Sequence, residues 1–211
     1  MDNLVITVSR ECGSAGREIA CKLGEKLGLK VYDRHFLNTV AEKFGISSKE
    51  MERVKAKKTN WWSEFCHFYQ QFDAVASIDT KEQEATPMSL YYAERELLLE
   101  VAEKEPFIVV GRSGFNIFRN HPRAFHLLII ADKEARVRRI SEKQHLKEEE
   151  ARNLVERIDK ERETFVRTVS NTSRYDAHNY DLVLDVTGLD TEKVAELLAE
   201  HVRLKCGDVA D

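Results

Sequence analysis

The chain has 211 residues, 42% hydrophobic and 33% charged, with a formal net charge of −4. That balance describes a globular chain and excludes a disordered one; it also argues against a nucleic-acid partner. No apolar run reaches the ~18 residues of a membrane span and no signal-peptide pattern opens the chain, so a cytoplasmic protein with no membrane contact is expected.

The first element is "LVITVS" (Leu4 to Ser9), an apolar strand that runs into a turn carrying Gly13 and Gly16. A helix follows, with Ile19, Leu23 and Leu27 at four-residue spacing, a stripe that can press onto a sheet. "KVYD" (Lys30 to Asp33) reads as a second short strand. The next stretch, about residues 40–95, carries no convincing strand. It holds a capping-box pattern, Ser47 to Glu50, and the aromatic run "WWSEFCHFYQQF" (Trp61 to Phe72). A helical insertion is expected there, its aromatics filling a subdomain core or a homo-oligomer interface. Thr86-Pro87 supplies a cap and first-turn proline for a helix bearing Leu90, Leu97 and Val101.

"FIVVG" (Phe107 to Gly111) and "FHLLIIAD" (Phe125 to Asp132) are the third and fourth strands. Residues 133–176 are long, charged and helical. "YDLVLDV" (Tyr180 to Val186) is the fifth strand, and Val194, Leu198 and Val202 mark a final amphipathic helix. Apolar runs this short suit strands covered on both faces, and their alternation with helices predicts a doubly wound α/β domain with a parallel sheet. No repeat or linker divides the chain, so residues 1–211 read as one domain.

The turn after the first strand is where chemistry is expected. Backbone N–H groups of a glycine-bearing turn, backed by a helix N-terminus, form an anion cradle, here Gly13, Ser14, Ala15, Gly16, Arg17 and Glu18. Arg17 stands where a phosphate-binding loop usually has lysine; it offers a planar fork in place of a point charge. Glu18 replaces the hydroxyl that normally faces magnesium, leaving three options: approach to a metal, repulsion of phosphate, or an outward orientation. Further along, Ala151, Val155, Ile158 and Phe165 share a helix face with Arg162. A cation in an apolar stripe calls for an anion, whether bound phosphate or a structural salt-bridge partner. The four cysteines, Cys12, Cys21, Cys66 and Cys206, lack metal spacing and are expected to be reduced thiols. The seven histidines suggest no zinc site, and metal ligands are not identifiable.

Three segments together resemble the cytidylate kinase-like family of P-loop proteins. They are "ITVSRECGSAGREIACKLGEKLGLKVYDRHFL", "FIVVGRSGFNIFR" and "IDKERETFVR" with "YDAHNYDLVLDVTGLDTEKV". The resemblance spans nearly the whole chain in family order, with residues 40–85 matching poorly. The family's loop often reads Ser-Arg-Glu-x-Gly-Ser-x-Gly-Arg-Glu, which includes Arg17 and Glu18, whereas authentic cytidylate kinases carry Gly-Lys-Gly-Thr. It implies a three-layer P-loop NTPase fold with a five-stranded parallel sheet, a helical acceptor-side insertion and a helical lid over about 133–176. It implies ATP, with Mg2+, as cofactor and a small-molecule nucleotide as partner. By analogy with nucleoside monophosphate kinases, Asp33 and Arg34 would bind the acceptor or serve as helix cap and surface cation. Arg112, matching the kinases' Gly-Arg-Asp except that Ser113 replaces the acid, would hold acceptor phosphate, with Arg10 in a similar place. Asp159, Lys160, Arg162 and Arg167 would belong to the lid, and Arg136 and Arg139 would contact the donor. Arg17, Arg112 and Arg162 would form the catalytic clamp. Three functions follow as expectations: a cytidylate-like nucleotide kinase, a kinase for another small acceptor, or a non-catalytic nucleotide- or anion-binding regulator.

Overall fold

In a computed structural model, residues 3–33 and 87–207 are described. The strands are β1 (Val5–Arg10), β2 (Lys30–Tyr32), β3 (Phe107–Val110), β4 (Ala124–Ile130) and β5 (Leu182–Asp185). The helices are α1 (Gly16–Leu27), α2 (Pro87–Lys104), α3 (Gly114–Ile117), α4 (Lys133–Gln144), α5 (Glu148–Ser170) and α6 (Thr191–Cys206), with a 3-10 turn at Ala177–Asn179. The chain divides into two units, Met1–Asp33 with Glu100–Asp211, and Arg34–Leu99. The expected capping box at Ser47, the aromatic segment Trp61 to Phe72 and Arg34 lie outside the described residues.

All five strands are parallel, in the order β2-β3-β1-β4-β5. Register places Val5 beside Phe107 and Ala124, and Val8 beside Val110 and Leu127. Alternation along β1 then builds two cores. Leu4, Ile6 and Val8 join Ile19 and Leu23 of α1 and Leu198 and Val202 of α6 in one buried cluster. Thr7 turns to the opposite face, where the chain at Gly114 comes so close that an added Cβ would lie 3.2 Å from the Thr7 Cβ. Phe107 and Phe118 pack edge to face beside it, ring centroids 5.9 Å apart. Helices on both faces of a parallel sheet make the three layers. The stripes expected on α1 and α6 are the ones buried: Ile19, Leu23 and Leu27, then Val194, Leu198 and Val202.

The last strand departs from a two-sided burial. Residues of β5 alternate between half-buried and exposed, and Val183 is 36% exposed. The strand sits at the sheet edge beside β4 alone, so one face lacks a covering layer. Helices begin and end where their local chemistry directs. Asp132 caps α4 by accepting from the Ala135 N–H at 3.0 Å, and Asp190 caps α6. Gly28 closes α1 in the left-handed region, φ 66°. Among the described residues no helix is long and apolar enough to cross a membrane.

β1 lies between β3 and β4, and the chain leaves β1 for one face of the sheet and β3 for the other. That divergence opens a crevice at the carboxyl ends of these strands, the place where open α/β sheets bind ligands.

Candidate functional site: the loop between β1 and α1

The loop occupies that crevice, and its path is set by groups pulling on its carbonyls. Gly13 (φ 82°) and Ala15 (φ 61°) are both left-handed, the alternation that forms an anion-binding nest. Arg136 of α4 donates to the Cys12 carbonyl at 3.1 Å, and Arg139, one turn along, donates to the Gly13 carbonyl at 2.9 Å. Arg162 of α5 and Arg174 donate to the Arg10 carbonyl at 3.3 and 2.5 Å. In a trans peptide the N–H points opposite to its carbonyl, so each capture swings the next amide away from the guanidinium. Among the described residues no carbonyl or side chain accepts from the N–H groups of Gly13, Ala15, Gly16 or Arg17. Those amides, the last of them at the α1 N-terminus, form a cradle for an anion.

Close packing fixes the cradle from outside. A Cβ on Gly13 would lie 2.7 Å from the Arg136 carbonyl oxygen, and one on Gly16 would lie 2.5 Å from the Arg10 Cβ. The Arg10 side chain then crosses toward β3, where a Cβ on Gly111 would meet its Nη1 at 2.2 Å. Ser14 is fully buried, its hydroxyl donating to the Glu11 carbonyl at 3.0 Å. Cys12 points inward and completes a small apolar cluster with Val137, Ile140, Ala151 and Val155, the seam between α4 and α5. Burial raises its thiol pKa above the ordinary range, so the thiol stays protonated and is not a poised nucleophile.

Behind the loop lies a buried ion network. Asp159 accepts from the Cys12 N–H at 2.9 Å and from Arg136 at 2.7 Å, with Arg174 at 3.4 Å. Glu11 turns back to accept from the Ala131 N–H at 3.0 Å and faces Arg136 at 3.4 Å. Glu163 receives the Arg174 N–H at 3.0 Å. Buried charges need such partners, and here two carboxylates and two guanidiniums answer one another. Arg174 and Glu11 were not among the residues the sequence singled out. Arg174 precedes a Tyr-Asp pair in an irregular stretch with no periodicity to signal burial.

The sequence-predicted residues are placed as follows. Gly13, Ser14, Ala15, Gly16, Arg17, Arg139, Arg162 and Arg10 gather around the loop. Arg136 and Asp159 stand behind it, their side chains engaged with the loop backbone and each other. Arg17 is largely exposed and forms a 2.7 Å ion pair with Asp33 at the end of β2. Lys160 is exposed on the far side of α5 from Asp159, and Arg167 pairs with Glu163 one turn before it. Of the three orientations open to Glu18, the side chain takes the outward one. It accepts from Thr191 at 2.6 Å, with Lys22 at 3.4 Å, and the Thr191 hydroxyl in particular holds its carboxyl pKa below the usual range. Arg112 is buried in a left-handed turn, with φ 83°, 62° and 52° at Gly111, Arg112 and Ser113. Two successive non-glycine residues there cost ~1–2 kcal/mol each. Such strain is characteristic of ligand sites.

A parallel sheet in this strand order, with a glycine loop leading from its first strand into α1, defines a P-loop kinase fold. Residues 5–188 match the cytidylate kinase-like family, and the chain belongs to that family. No curated protein matches it. An uncharacterized protein from Eubacterium ventriosum is similar in structure, at 20% identity and TM-score 0.66, over 95% of this chain and 98% of that one. Shikimate kinase from Bacteroides thetaiotaomicron gives 12% identity and TM-score 0.52 over 95% and 97% of the two chains. A gluconokinase from Sinorhizobium meliloti gives 10% and 0.51 over 98% and 95%. At these identities the likeness is one of fold.

P-loop kinases generally work with ATP and magnesium, and the two components fit this site differently. The cradle suits a phosphate chain. A protein-held metal does not fit: the loop hydroxyl is replaced by Glu18, which is turned away, and Ser14 donates inward. Among the described residues no group of acidic, histidine or cysteine side chains could hold a metal ion.

Proposed function

We propose that this protein is a nucleotide kinase that transfers the γ-phosphoryl group of ATP to a cytidylate-like nucleoside monophosphate. The observation that carries the reading is the convergence of the open loop amides with Arg17, Arg139 and Arg162 at the crevice. An anion on these amides would lie within reach of guanidinium forks that can grip phosphate in two places.

In the transfer, the bond from γ-phosphorus to the β-bridging oxygen breaks, and one forms to an acceptor phosphate oxygen, leaving ADP. That acceptor oxygen is already anionic, so no side chain must remove a proton. The chain's task is alignment and charge neutralisation. The loop amides hold the donor, Arg17 faces the transferring group, and Arg112 and Asp33 orient the acceptor from the ends of β3 and β2. Arg162, hung from the Arg10 carbonyl, supplies charge from the α5 side.

The test is ADP formation from ATP with a panel of nucleoside monophosphates and, separately, small polyol and acid acceptors. Turnover with a pyrimidine monophosphate is expected, and Arg17→Ala should lower kcat by about a hundredfold or more, as loss of a transition-state donor does. Turnover only with another acceptor would replace the substrate assignment. Tight ATP binding with no turnover on any acceptor would identify a non-catalytic nucleotide-binding protein, a reading favoured by the absence of a fitting metal site.

A further inference from the structure

The carboxylates around the loop are all engaged by donors. Glu11 is held by the Ala131 amide and faces Arg136; Glu18 is held by Thr191 and Lys22. Asp33 pairs with Arg17, Asp132 caps α4, and Asp159 takes the Cys12 amide and Arg136. A divalent cation entering here would displace one of these donors or rely wholly on phosphate oxygens and water. The cations form the opposite pattern. Arg10, Arg17, Arg139 and Arg162 surround the same loop, and Arg139 and Arg162 are fixed to its carbonyls.

From this, and resting on the reading of the loop as the triphosphate site, we infer that the protein binds the metal-free polyphosphate chain. Fixed guanidinium groups supply the positive charge that a loop-held magnesium ion supplies in other P-loop proteins. Free ATP carries more negative charge than its magnesium complex. A site that is cationic and lacks a metal ligand gains nothing in affinity from the metal.

The experiment is calorimetric titration of the full chain with ATP in excess magnesium and again in excess EDTA. The affinity in EDTA should equal or exceed that in magnesium, to within about threefold, a difference of less than 1 kcal/mol. Arg139→Gln should weaken binding by about tenfold under both conditions, since removing one fixed fork costs a charge-assisted bond. Binding that strengthens about tenfold or more with magnesium overturns the inference while leaving the kinase reading intact. No binding under either condition defeats the reading itself, and the inference with it.

Discussion

Cys12 shows how position governs chemistry within the loop. Its neighbours are phosphate-binding residues, yet its sulfur faces the α4–α5 seam and burial raises its pKa. The thiol should therefore resist alkylation at pH 8 while exposed Cys21 reacts, and mass mapping after brief iodoacetamide treatment reads the difference. Prompt labelling of Cys12 would mean that the loop does not pack as described. The sign of the pH dependence follows. An unfolded thiol ionises near its ordinary value of about 8.5 and the folded one higher, so Cys12 favours folding below that value and loses the advantage as pH rises through it. Gly13 is the second decisive residue. Its φ of 82° and the Arg136 oxygen 2.7 Å from any added Cβ make Gly13→Ala costly on both counts. The left-handed alanine alone costs ~1–2 kcal/mol. Urea unfolding should show at least that loss, with ATP binding abolished; an unaffected variant would contradict the loop geometry.

At the level of elements, α4 and α5 form a brace. Resemblance implies a lid that closes over phosphates, and the α5 stripe is legible as an apolar face interrupted by Arg162. What the periodicity conceals is Asp159, which is buried and holds the loop through an amide 147 residues away. Helical spacing reports which residues share a face and says nothing of the partner across it. The same holds for Glu18, whose direction is set by Thr191, 173 residues distant. Short apolar runs and glycine turns made the strands, α1 and the loop readable, because those signals are local. The ion network is long-range, so Arg174 and Glu11 went unmarked and Arg136 was expected on the ligand side. Asp159→Asn tests the brace, since the amide oxygen can still accept from Cys12 while Arg136 and Arg174 lose their shared counter-charge. A destabilisation of about 3–5 kcal/mol in urea unfolding is expected, the usual cost of breaking a buried pair. A change below about 1 kcal/mol, the range of a surface pair, would show the network to be solvated.

For the whole molecule, strand order and function meet at one crevice. The β2-β3-β1-β4-β5 sheet brings the ends of β1, β2 and β3 side by side, gathering Arg10, Asp33 and Arg112 from distant parts of the sequence. The α4–α5 brace then adds Arg139 and Arg162 from the other side of β1. Every functional statement made above depends on a polyphosphate seating on the open amides in that crevice. A crystal grown with a non-hydrolysable ATP analogue addresses this directly. The account predicts a phosphate group within hydrogen-bonding distance of the Gly13, Ala15, Gly16 and Arg17 amides, with Arg139 or Arg162 against the same chain of phosphates. An analogue bound elsewhere, or a loop left vacant at saturating concentration, would contradict it.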